Sequence, residues 1–181
     1  SHKNALEKFG YIKDDFPTDK GKTVSQIRSE NELFLAEIIF SDILNDLTPA
    51  ELASVICAVT TEDMRAEMYS GLPGSPKVRT TLNKIKDVRR RVDKVQHENN
   101  IDDAMYINSF YCALIEMWSN GAEWDDIIDQ VEMGEGDVVR CFKRVIDVLR
   151  QLTTIDNVPE AVVYTARDAI DSIQREPIDL D

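Results

Sequence analysis

Residues 118 to 152, WSNGAEWDDIIDQVEMGEGDVVRCFKRVIDVLRQL, space their apolar side chains in a way that only a helix resolves into one face. In the first half, positions 124, 127, 128 and 131 are apolar, the three-and-four spacing of a short amphipathic helix. Met133 and Gly134 interrupt it, with Gly134 expected in a left-handed turn, and Gly136-Asp137 opens a second, longer helix where an acid suits the N-terminal dipole. Val138, Phe142, Val145, Ile146, Leu149 and Leu152 form its buried stripe. Arg140, Lys143, Arg144 and Asp147 then fall on the opposite side, so the helix offers a largely cationic face outward. Trp118 and Trp124 are expected to brace the turn at Gly121.

The same periodicity recurs along the rest of the chain. Asn31 to Asp42 is apolar so widely that more than one neighbour must cover it. Thr48-Pro49-Ala50-Glu51 spells a capping box with proline in the first turn, opening a helix that ends near Thr61-Glu62. A glycine and proline loop, SGLPGSP, fills 70 to 76 before a long amphipathic helix through Val95. Asp103 to Trp118 reads as a central helix, and the last helix runs from about Pro159, behind an Asn157 cap, to just before Pro177. Residues 4 to 28 are broken by Gly10, Pro17 and Gly21 and predict a small helix, a turn and a short hairpin. The fold class is therefore all-α, a bundle of about seven or eight helices with an embedded helix-turn-helix-like pair. Its parts are an N-terminal segment over 1–28, where Ser1-His2 resembles a tag remnant, a bundle over 29–177 and a tail over 178–181. A monomer is expected.

Several function classes drop out. The 181 residues hold no apolar run near the roughly 18 that a membrane span needs, so no membrane partner is expected. Cys57, Cys112 and Cys141 sit inside apolar helical patterns and read as buried free thiols, which suits a reducing compartment; with two histidines far from them, no metal is expected. Gly21-Lys22-Thr23 imitates the end of a phosphate-binding loop, but the position that should hold the first glycine is Phe16, so no nucleotide cofactor is expected in this chain. Nucleophile, base and orienting group cannot be assembled from these motifs, and no catalytic residue is assigned.

Charge is uneven. The chain carries −13, yet between 77 and 94 eight basic side chains face two acidic ones, a local excess of six positive charges. Arg79, Lys86 and Arg90 flank one side of that helix's apolar stripe, and Lys77, Lys84 and Arg91 the other. Pairing with acidic neighbours is the preferred reading over an RNA-tracking groove, because the surrounding negative charge opposes phosphate.

Taken together, W-x-x-G-x-x-W, E-G-D-V-V-R and F-K-R-x-x-x-x-L-R-Q-L resemble the DSHCT domain, the C-terminal helical domain of DExH-box RNA helicases that feed RNA exosomes and of their bacterial and plastid relatives. Ser29 to Leu35 through Phe40, Leu47 to Ala53, and Ile170 to Pro177 are similar to that family in the same order. The resemblance implies an accessory helical domain packed on a RecA-like motor outside this chain, with ATP and magnesium in the motor and single-stranded RNA as partner. It implies an RNA contact at Arg140, with Glu62 or Asp63 as its counterpart and Lys143 and Arg144 beside it. It also implies a cytoplasmic home in a bacterium, or a plastid or nucleus in a eukaryote. Two other classes stay open: a DNA-reading helix-turn-helix, which the net charge disfavours, and an acidic protein-interaction module.

Overall fold

The computed structural model describes residues 2–28, 31–61, 74–131 and 134–178. Within them lie nine helices and one two-stranded ribbon, in the order α1 (His2–Lys8), β1 (Ile12–Lys13), β2 (Phe16–Pro17), α2 (Asp19–Gln26), α3 (Glu32–Phe40), α4 (Pro49–Thr60), α5 (Pro76–Glu98), α6 (Cys112–Ser119), α7 (Trp124–Ile128), α8 (Glu135–Thr154) and α9 (Glu160–Ile173). The described residues are all-α apart from that ribbon.

Helix α4 is the axis. It packs against α5, α6, α8 and α9, and Leu52, Ala53, Val55, Ile56, Cys57 and Ala58 are completely buried. A helix apolar on every side is stable only when surrounded. Its start follows from the sequence: the Thr48 hydroxyl accepts from the Glu51 amide at 3.2 Å, and the Glu51 carboxylate accepts from the Thr48 amide at 2.9 Å. Small side chains let partners approach. The Ser54 hydroxyl donates to the Cys112 carbonyl at 2.9 Å, and the Cys112 thiol returns a bond to the Ser54 carbonyl at 3.3 Å. On α9, Val162, Ala166, Ala169 and Ile173 are buried at helical spacing and close the bundle against α4 and α8.

The N-terminal segment forms the expected small helix and hairpin, with Ile12 opposite Pro17 across a turn at Asp14 and Asp15, both with positive φ. Gly21-Lys22-Thr23 lie within α2. A side chain at Gly21 would collide with the Tyr11 carbonyl 1.9 Å away, and the buried Thr23 hydroxyl donates to the Asp156 carbonyl at 2.7 Å.

Three local expectations are corrected. The helix expected from Asp103 starts only at Cys112. Residues 101–109 run irregularly because groups outside the segment satisfy their backbone: Asn31 donates to the Asp103 and Ala104 carbonyls, Gln96 donates to the Asp103 carbonyl, and the Asn108 amide donates to the Ala58 carbonyl at 2.8 Å. Gly134 is extended at φ −61°, the residue before α8, and the left-handed glycine of this region is Gly121 at φ 101°. Asn157 does not cap α9. It adopts φ 66° and its amide donates to the Asp19 carbonyl and Thr23 hydroxyl of α2, while the Pro159 carbonyl accepts the first α9 bonds.

Candidate nucleic-acid interface

Helix α8 builds the site because its two faces differ so sharply. Val138, Phe142, Val145, Ile146, Leu149 and Leu152 are fully buried, as the spacing predicts. The opposite face begins at Arg140, whose side chain is 68% exposed. Its guanidinium pairs with Asp137, one turn earlier and mostly buried. Gly136 leaves room for this posture, since a Cβ there would sit 3.3 Å from Arg140 Nη1. E-G-D-x-x-R thus has a local meaning: the glycine admits the guanidinium over the first turn, and the aspartate steadies it against the positive end of the helix dipole.

The turn ahead of α8 is held by aromatic rings. Trp118 and Trp124 meet edge to face at 5.3 Å, and Trp124 meets Phe142 at 6.1 Å. Trp124 Nε1 donates to the Glu135 carboxylate at 2.5 Å, fixing α7 to the start of α8. Behind them, the Trp118 indole donates to the Ile173 carbonyl at 2.8 Å. Arg175 lies over the Trp118 ring, 3.4 Å from its centroid, and donates to the Trp118 and Ala122 carbonyls. Both tryptophans are structural and brace the Gly121 turn.

Arg140, Lys143 and Arg144 share the outer face of α8. Arg144 is exposed and reaches the Thr60 carbonyl at 3.4 Å, so its guanidinium meets the C-terminal, electronegative end of α4. Lys143 is half-buried. Glu62 and Asp63 lie outside the described residues. Thr61, covalently next to them, is pinned to α8, its hydroxyl 3.7 Å from the Cys141 thiol beside Arg140.

One basic residue near this face was not singled out by sequence reasoning. Arg28 borders a cleft of about 160 Å³ with Arg144 and Tyr106, over a floor that includes Phe34, Ile38 and Val148. Its backbone is clamped by Gln151, which accepts from the Arg28 amide at 2.7 Å and donates to the Arg28 carbonyl at 3.0 Å. Neither periodicity nor a local motif marks it, because a partner 123 residues away places it.

The family model for the DSHCT (NUC185) domain matches residues 14–181, nearly the whole chain. The chain belongs to the DSHCT family. Among curated proteins, this DSHCT chain is 32% identical over 162 residues to the ATP-dependent RNA helicase mtr4 of Schizosaccharomyces pombe, covering 84% of the chain and 14% of that protein. It is 28% identical over 162 residues to the DExH-box ATP-dependent RNA helicase DExH15, chloroplastic, of Arabidopsis thaliana, covering 87% and 14%. It is 27% identical over 156 residues to the Exosome RNA helicase MTR4 of Homo sapiens, covering 83% and 15%. The DSHCT chain therefore spans about one seventh of the length of the relatives it matches. None of its described helices is long and apolar enough to cross a membrane.

Proposed function

We propose that this chain is the accessory helical domain of an ATP-dependent RNA helicase, packing on a RecA-like motor and leading single-stranded RNA past Arg140 in RNA processing or decay. The observation that carries this reading is Arg140 itself. It is exposed, it stands in the family's E-G-D-x-x-R pattern, and its one described ion pair is an i,i+3 contact. Such surface pairs contribute only about 0–1 kcal/mol, so a phosphate or a base can take the guanidinium from Asp137 at small cost. The planar fork of arginine suits both ligands. Lys143 and Arg144 extend the cationic edge, and the family resemblance offers Glu62 or Asp63 as the counterpart of Arg140. ATP and magnesium act in the motor, and the parent resides in bacterial cytoplasm or in a plastid or nucleus.

Full-length parent helicase carrying Arg140→Ala tests the reading against Arg150→Ala, a change at an exposed position near the far end of α8. Arg140→Ala is expected to lower RNA-dependent unwinding by roughly tenfold, within the 1–3 kcal/mol of single-strand contacts, with an unchanged melting temperature. Arg150→Ala should unwind normally. Wild-type unwinding by both variants would reduce Arg140 to an ordinary surface charge, and early melting of Arg140→Ala would make its contact structural.

A further inference from the structure

The basic helix α5 does not behave as its charge pattern predicts. If its cations were neutralised by this acidic protein, ion pairs should line it. Among the described residues its cations make two, Lys77 with Asp46 at 2.6 Å and Arg90 with Asp87 on the same helix. Arg79, Lys84, Lys86, Arg91 and Lys94 are exposed and have no ion pair among the described residues. Meanwhile the inner face is fully committed to the core: Val78, Leu82, Ile85, Val88, Val92 and Val95 are all buried, and α5 packs on α3 and α4.

We propose that the outer face of α5 is a second RNA contact, a sequence-independent track for the sugar–phosphate backbone, separate from Arg140. It rests on the helicase reading only for the kind of ligand. Arg79, Asn83, Lys86, Arg90 and Lys94 follow one another by four, three, four and four residues, which lays them along one line of the helix. At 1.5 Å per residue the line is about 22 Å long, enough to run beside several consecutive phosphates. Its four cationic side chains suit phosphate oxygens.

The composition of the face selects RNA over an acidic protein. Protein interfaces are centred on aromatic and aliphatic anchors. No large apolar side chain is exposed on α5; among the described residues those strongly exposed are Phe16 and Tyr164, on other elements. Phosphate contacts need no such anchor. The acids on α5 itself are Asp87, paired with Arg90, Asp93, and Glu98, which is paired with Lys8 and also feels the charge of Lys94. The rest of the chain's negative charge is screened over roughly 8 Å at physiological salt, so a strand held along the outer face feels the local excess first.

Fluorescence anisotropy of this chain with a labelled oligouridylate, titrated at several salt concentrations, decides the matter. Each phosphate contact to a single strand contributes a slope of about 0.7 in log affinity against log salt. The triple variant Arg79→Ala, Lys86→Ala, Lys94→Ala should flatten the slope by about 2 and weaken binding at low salt by tenfold or more. Arg79→Lys, Lys86→Arg, Lys94→Arg should bind like wild type, which separates charge from folding. Arg140→Ala should flatten the slope by one contact at most. A triple alanine variant with the wild-type slope overturns the proposal, as does a wild-type chain that binds no RNA at the lowest salt. Displacement of the RNA by polyglutamate at equal charge would assign the face to an acidic protein instead. The Arg140 reading stands or falls on unwinding by the parent, so either idea can fail alone.

Discussion

Cys57 and Cys141 place their sulfurs 3.6 Å apart, and the Thr61 hydroxyl lies within 3.7 Å of both. All three cysteines are free and buried, as their apolar settings in the sequence predict. The hydrogen bond with Cys141, together with burial, raises the Cys57 pKa well above the ordinary thiol range, and burial pushes Cys112 up to about 12. A thiol that stays protonated in the fold but ionises near 9 when unfolded makes the unfolded chain the better acid. Stability is then full below pH 9 and declines as pH rises toward 12, by up to about 1.4 kcal/mol per pH unit for such a group. Melting temperature should therefore fall between pH 9 and 11, and Cys112→Ser, whose hydroxyl does not titrate there, should flatten that fall. An unchanged slope in the variant would show that Cys112 ionises in place. Labelling by a thiol reagent at neutral pH should likewise wait for unfolding.

Helix α5 separates stability from surface chemistry along a single element. Ile85→Ala should cost about 2–5 kcal/mol as a buried large-to-small change, whereas Lys86→Ala, one residue on and exposed, should stay within about 0.5 kcal/mol. Denaturant melts of the two variants check this, and the reverse ranking would mean the faces are exchanged. Elements of this kind were legible in the sequence because their determinants are local: the stripe of α5, the Thr48–Glu51 capping box, the two-faced pattern of α8. Segment 101–109 was illegible for the opposite reason. Its apolar residues resemble a helix, but Asn31, Gln96 and the end of α4 take its backbone groups, and of these Asn31 and α4 are far away in sequence. The candidate site divides in the same way. Arg140 stands in a motif whose glycine and aspartate act within one turn, while Arg28 arrives through Gln151. The sparsely paired outer face of α5, where among the described residues only Arg90 of the track has an ion pair, could not be read from composition, since a net charge of −13 suggested that acids would cover it.

At the scale of the whole molecule, one buried polar cluster fastens the N-terminal segment to the bundle. The Tyr11 hydroxyl donates to the Glu37 carboxylate at 2.5 Å, and Lys20 reaches the same carboxylate at 3.1 Å while lying over the Tyr11 ring. Glu37→Gln removes the charge that holds Lys20 and should cost about 1–3 kcal/mol. It should admit a protease to residues 2–28 before α4 or α8 lose amide protection; simultaneous exposure of all three would show one cooperative unit. The position of α9 has a different consequence, one for synthesis. Helix α4 lies at the axis, yet α9, more than a hundred residues later, covers it together with α8, and Arg175 completes the Trp118 corner. At ribosomal speeds of about 5–20 residues per second, the apolar sides of α4 wait on the order of ten seconds for their last partner. During that interval the nascent chain is expected to need shielding of its exposed apolar helices, and slower translation between α4 and α9 should raise its tendency to aggregate.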